Sequence, residues 1–116
     1  MAMRLFSVVF DANDHIALAH WWAQALETGV VAESEIEAWF ALTDSPELIF
    51  VPVAEPKTSK NRIHLDLPSS SGSHQSQIVE RLVGLGASHA DIGQQDVPWV
   101  VLSDPEDNEF CVLTAR

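Results

Sequence analysis

Trp39-Phe40-Ala41-Leu42-Thr43-Asp44 returns later in the chain as Trp99-Val100-Val101-Leu102-Ser103-Asp104. Each copy alternates like a strand and runs into a turn containing Asp and Pro. A second apolar strand follows, Leu48-Ile49-Phe50-Val51 in the first case and Glu109-Phe110-Cys111-Val112 in the second. A chain that states one unit twice folds into two similar modules whose positions correspond in pairs. Polar chemistry present in one module and missing from the other is then not required by the shared scaffold.

The pattern around these repeats reads βαβββ, twice. Arg4 to Phe10 predicts a strand, and Asp14 is placed to cap a helix over about residues 15–27. That helix turns Ile16, Ala19, Trp22, Ala23 and Leu26 inward, and Gly29 is its expected stop. Strands are expected over Val30 to Glu33, Ile36 to Thr43 and Glu47 to Ala54. A polar connector, residues 55–61, leads to a strand over Arg62 to Leu67 and a Ser-rich loop. A second helix, from His74 or Gln75 to Leu85, faces Ile78, Val79, Leu82 and Leu85 inward and stops at Gly86. Strands near Ala87 to Asp91, Val97 to Ser103 and Asn108 to Thr114 complete the round. Aligning the halves pairs Ser7 with His64, Ile49 with Glu109 and Trp39 with Trp99.

At 116 residues the chain has the size of a single domain with a real core, module one spanning about 1–55 and module two about 61–116. The formal charge of −11, from 17 carboxylates against 6 Lys and Arg, argues against nucleic acid, whose phosphates need a clustered basic face. One cysteine, Cys111, excludes an internal disulfide. The longest early apolar run, Leu5 to Phe10, is too short for a signal-peptide core or a membrane span, so a cytoplasmic protein without membrane association is the expectation. Trp21 and Trp22 are adjacent on a helix and do not share a face; Trp22 reads as core and Trp21 as an edge or homodimer contact.

The ordered set Asn61-Arg62-Ile63-His64-Leu65-Asp66-Leu67, Leu85-Gly86-Ala87 and Pro98 to Phe110 resembles the vicinal oxygen chelate superfamily, the glyoxalase and bleomycin-resistance fold. Asp14 ahead of a helix ending Trp21-Trp22-Ala23-Gln24-Ala25-Leu26 adds to the likeness, which covers nearly the whole chain. Asp107 stands where the family's turn usually has Gly, and Asp tolerates the left-handed conformation better than most residues. The resemblance implies an α+β fold in which two βαβββ modules form an open, eight-stranded, barrel-like sheet with helices outside. It also implies a concave face holding a divalent metal on residues from the first and last strands of each module.

Carried over residue by residue, the family pattern makes His64 and Glu109 metal ligands in module two, against Ser7 and Ile49 in module one. Serine is a poor ligand and isoleucine none, so the ligand set is incomplete. Strand alternation puts His64, Asp66, Glu109 and Cys111 on the cavity side, with Ile63, Leu65, Leu67, Phe110 and Val112 in the core. A carboxylate against apolar walls has its pKa raised, which would suit Glu109 to catalysis as a general base. Cys111 would suit softer ions; with no fixed His partner it otherwise reads as an inert buried thiol. Trp39 and Trp99 should face the cavity, and with Ser7, Val51, Asp66 and Cys111 they make up the expected ligand-binding set.

Two functions stay open on these residues. One is a small-molecule-binding glyoxalase-like protein acting as a metal-dependent lyase, isomerase or dioxygenase, with Glu109 moving a proton. The other is a metal-free binding or sequestering protein for cationic or aromatic small molecules, like the bleomycin-resistance members. The architecture alone hosts both.

Overall fold

The structure is a computed structural model describing residues 2–29 and 31–115. The chain divides into two compact units, Met1–Pro56 and Lys57–Arg116. Each follows the expected βαβββ order. The first contains β1 (Ser7–Ala12), α1 (His15–Ala25), β2 (Ala32–Glu33), β3 (Ala38–Phe40) and β4 (Glu47–Pro52). The second contains β5 (Leu65–Leu67), α2 (Gly72–Gly84), β6 (Ser88–His89), β7 (Val100–Ser103) and β8 (Glu109–Val112). The strands are shorter than the apolar runs suggest, and the expected start of β2 at Val30 lies outside the described residues.

The ladders form two four-stranded sheets, ordered β1-β4-β3-β2 and β5-β8-β7-β6, where the sequence suggests one sheet of eight. In each, the first strand pairs parallel with the last, and the remaining pairs are antiparallel. The intervening helix is the crossover that parallel pairing requires.

In the first unit, Ala38, Phe40, Leu48 and Phe50 share one sheet face and are buried, and α1 packs on β3 and β4. Phe50 stacks on Phe10 at 5.0 Å and on Phe40 at 6.1 Å between ring centroids. Each fully buried phenylalanine contributes roughly 1.5–3 kcal/mol of transfer free energy. Trp21 is 8% exposed, contrary to its expected edge position, and meets Trp22 edge-to-face at 5.2 Å. Little of it is left for a partner chain.

In the second unit, Leu102, Phe110 and Val112 form the corresponding core face, and α2 contributes one fully buried residue, Leu82. Ile63, expected in the core, is 79% exposed. The strand begins only at Leu65, so alternation does not carry inward orientation back to residue 63.

Both helices start at a side-chain cap, the one expected for α1 and an unforeseen one for α2, and end in the same way. Asp14 accepts from the Ala17 amide at 3.1 Å, and Ser71, three residues earlier than the expected start, accepts from His74 at 3.1 Å. At the C-termini, Thr28 donates to the Ala23 carbonyl and Glu27 to Gln24; Ala87 donates to Leu82 and Gly86 to Val83. These are two Schellman closures. Gly86 fills the left-handed position of the second at φ 116°, as expected, but Glu27 at φ 57°, not Gly29, fills that of the first. Asp107 likewise takes the left-handed conformation, φ 66°, in a turn where Asp104 accepts from the Glu106 and Asn108 amides at 2.9 and 3.0 Å.

The two glycines should therefore respond oppositely to substitution. Gly86→Ala forces a Cβ into a conformation reserved for glycine and should cost about 1–2 kcal/mol. Gly29→Ala meets nothing within 4 Å and should be neutral or stabilise by a few tenths of a kcal/mol. Urea unfolding midpoints of the two variants check this pair.

Candidate ligand and metal site

Parallel pairing of β5 with β8 sets Asp66 directly beside Cys111, while β7 sets Val101 on Cys111's other side. These residues lie on the face opposite Leu102, Phe110 and Val112. His64 precedes β5 and reaches the same side, its Nδ1 3.0 Å from the Asp66 Oδ1. The donor atoms of His64, Asp66 and Cys111 lie within 4.8 Å of one another. They line a cavity of about 490 Å³, walled by Trp99, Pro98, Leu113, Thr114 and the loop residues Ile92, Gly93 and Gln94. That loop is held by its own polar groups: Ile92 donates to the Gln94 Oε1 at 2.8 Å, and Gly93 donates to the Asp91 Oδ1 at 2.8 Å.

Glu109 sits two residues before Cys111 on β8, but it is otherwise engaged. Its carboxylate meets the Lys57 Nζ at 3.0 Å and accepts from the Asn61 amide at 3.2 and 3.3 Å. The Asn61 Nδ2 donates to the Glu109 carbonyl at 3.4 Å. Burial alone would push this carboxyl up, but the Lys57 hydrogen bond, the Glu109 and Asn61 backbone amides and the Lys57 charge outweigh it. The net shift is downward, opposite to the rise expected of a general base. Lys57 and Asn61 looked like connector residues in the sequence; only the fold brings them to β8.

Cys111 is 3% exposed. Burial pushes its thiol up, and the Asp66 carboxylate adds to this as a charge and as a hydrogen-bond acceptor, with the charge of Lys60 pulling back in part. A thiol held protonated is a weak nucleophile. Three other histidines make contacts elsewhere: His15 contacts the Ser34 carbonyl at 2.9 Å, His20 pairs with Glu33 at 2.6 Å, and His74 accepts from the Ser70 amide at 3.0 Å.

The ladders also revise how the modules correspond. Phe40 pairs with Leu48 and Leu102 with Phe110, enclosing equal stretches, residues 41–47 and 103–109. On that register Glu47, not Ile49, is the counterpart of Glu109, and Ile49 is the counterpart of Cys111. Trp39 corresponds to Val101 and not to Trp99. The shift is two residues, which preserves facing because strands alternate with period two. Hence Trp39 and Trp99 both lie opposite the helix-side core, although they are not equivalents. Ser7, Trp39 and Val51 share one face of the first sheet, and His64, Asp66, Trp99 and Cys111 line the cavity of the second unit.

The expected metal ligands His64 and Glu109 contact different partners, His64 the Asp66 carboxylate and Glu109 the Lys57 ammonium and the Asn61 amide. Glu109 is bound to a cation and an amide, and among the described residues the three donors that converge are His64, Asp66 and Cys111.

Because the folded-state pKa of Glu109 is depressed, its ion pair stabilises the fold above the ordinary carboxylate pKa and loses that effect as pH falls through the depressed value. Lys57→Met should cost about 1–3 kcal/mol at pH 7, since it leaves a largely buried carboxylate short of its cation. The deficit should shrink towards zero under acid, where wild type also protonates Glu109. Urea unfolding of both proteins across pH 3–7 checks the sign.

The model of a family described as glyoxalase-like domain matches residues 7–113, spanning both units. No curated protein sequence matches the chain significantly. Among solved structures, the chain is similar to a glyoxalase/bleomycin resistance protein/dioxygenase family enzyme from Burkholderia phytofirmans PsJN, with TM-score 0.75 and 18% identity over 95% of this chain and 97% of that one. It is similar to oxidase ChaP-H1 at TM-score 0.73 and 21% identity, covering 99% and 98%. It is also similar to the fosfomycin resistance protein FosX from Mesorhizobium loti at TM-score 0.73 and 14% identity, covering 100% and 95%. With the fold, the paired βαβββ modules and the family match together, the chain belongs to the glyoxalase-like domain family of the vicinal oxygen chelate superfamily.

Proposed function

We propose that this protein binds a small organic molecule in the cavity of its second unit, favouring planar cations. The observation that carries the reading is the cavity itself. Its roughly 490 Å³ falls within the range of ligand pockets, about 300–1,000 Å³, and it combines an aromatic wall with few polar groups. Trp99, 39% exposed, offers an indole surface, and the Asp66 carboxylate lining the same cavity supplies negative charge. Stacking and cation–π attraction at such a surface are worth about 0.5–2 kcal/mol, enough to discriminate a cation from its neutral isostere. The surplus of 17 carboxylates over 6 basic residues raises the local concentration of cations further. Trp39 and Val51 extend the ligand-binding proposal to the first sheet, where they share a face with Ser7. We read the protein as cytoplasmic and able to act as a homodimer; no helix among the described residues is long and apolar enough to cross a membrane.

Calorimetry with cationic aromatic compounds and their neutral isosteres should show the cations binding more tightly. Trp99→Ala should weaken both classes, and Asp66→Asn should weaken the cations selectively. Binding untouched by either substitution would place the ligand elsewhere.

A second, enzymatic reading is favoured by the convergence of His64, Asp66 and Cys111 in the same cavity. On it the protein is a metal-assisted lyase, isomerase or dioxygenase, a reading supported by the similarity to oxidase ChaP-H1 and to the glyoxalase/bleomycin resistance protein/dioxygenase family enzyme. Metal analysis of untagged protein, purified without chelators, should find about one equivalent of divalent ion, lost in His64→Ala. Absence of bound metal, together with no thermal stabilisation by added ions, would sink this reading.

A further inference from the structure

The family places its metal on the first and last strands of each module, which in this unit means His64 and Glu109. Here Glu109 is committed to Lys57 and Asn61. The next residue on the same face of β8 is Cys111, directly paired with Asp66. We infer that the metal-competent centre of this chain has moved along β8 from Glu109 to Cys111, giving a His64–Asp66–Cys111 site that selects zinc-class ions over magnesium, manganese or calcium. The inference supplies the centre that the enzymatic reading requires, and rests on that reading only for what the ion would do.

Donor chemistry sets the selectivity. Imidazole nitrogen and thiolate sulfur suit zinc and cobalt(II), whereas magnesium and calcium favour oxygen-only shells. Geometry permits it. Tetrahedral zinc with bonds of about 2.0–2.3 Å holds its ligand atoms about 3.3–3.8 Å apart. The three donors already lie within 4.8 Å, so the closure required is at most about 1.0–1.5 Å. Cys111 is buried and anchored in the ladder, while the His64 and Asp66 side chains are 41% and 45% exposed and have room to close onto it.

Three protein donors leave a fourth position open towards the cavity, as in zinc sites that carry out chemistry. The ion takes the place of the Cys111 proton: a metal–sulfur bond forms, the proton passes to solvent, and no oxidation state changes. The two positive charges of the ion are then balanced by the Asp66 carboxylate and the Cys111 thiolate. The site has no counterpart in the first unit, where the residues registered like Asp66 and Cys111 are Val9 and Ile49. It is specific to the second unit and not a product of the shared scaffold.

Cobalt(II) titration of the full chain under reducing conditions tests the inference. The expected result is one equivalent bound, with a thiolate-to-cobalt charge-transfer band in the near ultraviolet and tetrahedral visible bands. Zinc should displace the cobalt and a large excess of magnesium should not. Cys111→Ser and His64→Ala should each weaken binding more than about tenfold, and Cys111→Ser should abolish the charge-transfer band. Asp66→Asn, which leaves the buried thiol in place, guards against misfolding of the cysteine variant and should weaken binding with the band retained at saturation. Glu109→Gln should keep both the affinity and the band. Absence of the band in the folded wild type would overturn the inference, as would binding lost in Glu109→Gln but kept in Cys111→Ser. Calorimetry of organic cations on the same metal-free protein separates the outcomes: cation binding without a cobalt site leaves the ligand-binding reading standing, and a cobalt site without cation binding leaves the metal centre standing.

Discussion

Parallel pairing between the first and last strands of each module is the constraint on which the rest of the structure depends. It joins β1 to β4 and β5 to β8, segments far apart in sequence, and obliges a helix to cross between them. Once that ladder forms, alternation divides every strand between a helix-side core and an opposite face. Phe50 and Phe110 go to one side; Ile49 and Cys111 go to the other. The polar group of the second unit is a consequence of this division. Asp66 meets Cys111 because their backbones are registered, with the thiol donating to the carboxylate.

A second consequence is electrostatic. The register brings Glu109 to a position with little exposure, and a carboxylate there needs a partner. Lys57 and Asn61 provide it, which ties the start of the second unit to its last strand. The same bonds hold the Glu109 carboxylate in its charged form. The cavity of the second unit is lined by the Asp66 carboxylate, the His64 imidazole, the Cys111 thiol, whose pKa is raised, and the Trp99 indole.

Much of this was legible in residue order. The βαβββ repeat, the caps at Asp14 and Gly86 and the shared side of Asp66 and Cys111 follow from periodicity and local chemistry, while the left-handed turn at Asp107 is implied by the family resemblance. Facing survived while pairing did not. Trp39 and Trp99 look equivalent because the strings around them are alike, yet the ladders shift them by two residues, and a shift of two leaves parity unchanged. Ile63 reads as core only if the strand extends back to it, and Gly29 reads as a helix stop although Glu27 takes the left-handed position.

The sequence by itself determined the modules, their order and which side of each strand carries polar chemistry, because these depend on patterns a few residues long. Only the tertiary structure decided which polar groups meet. Lys57 reaches Glu109 across nearly the whole sequence of the second unit, and Asp66 reaches Cys111 through a parallel register that no local pattern encodes. The function of a site depends on distances between such groups. The physical reason lies in the ladder: backbone hydrogen bonding between distant strands, not the identity of the side chains they carry, selects the neighbours.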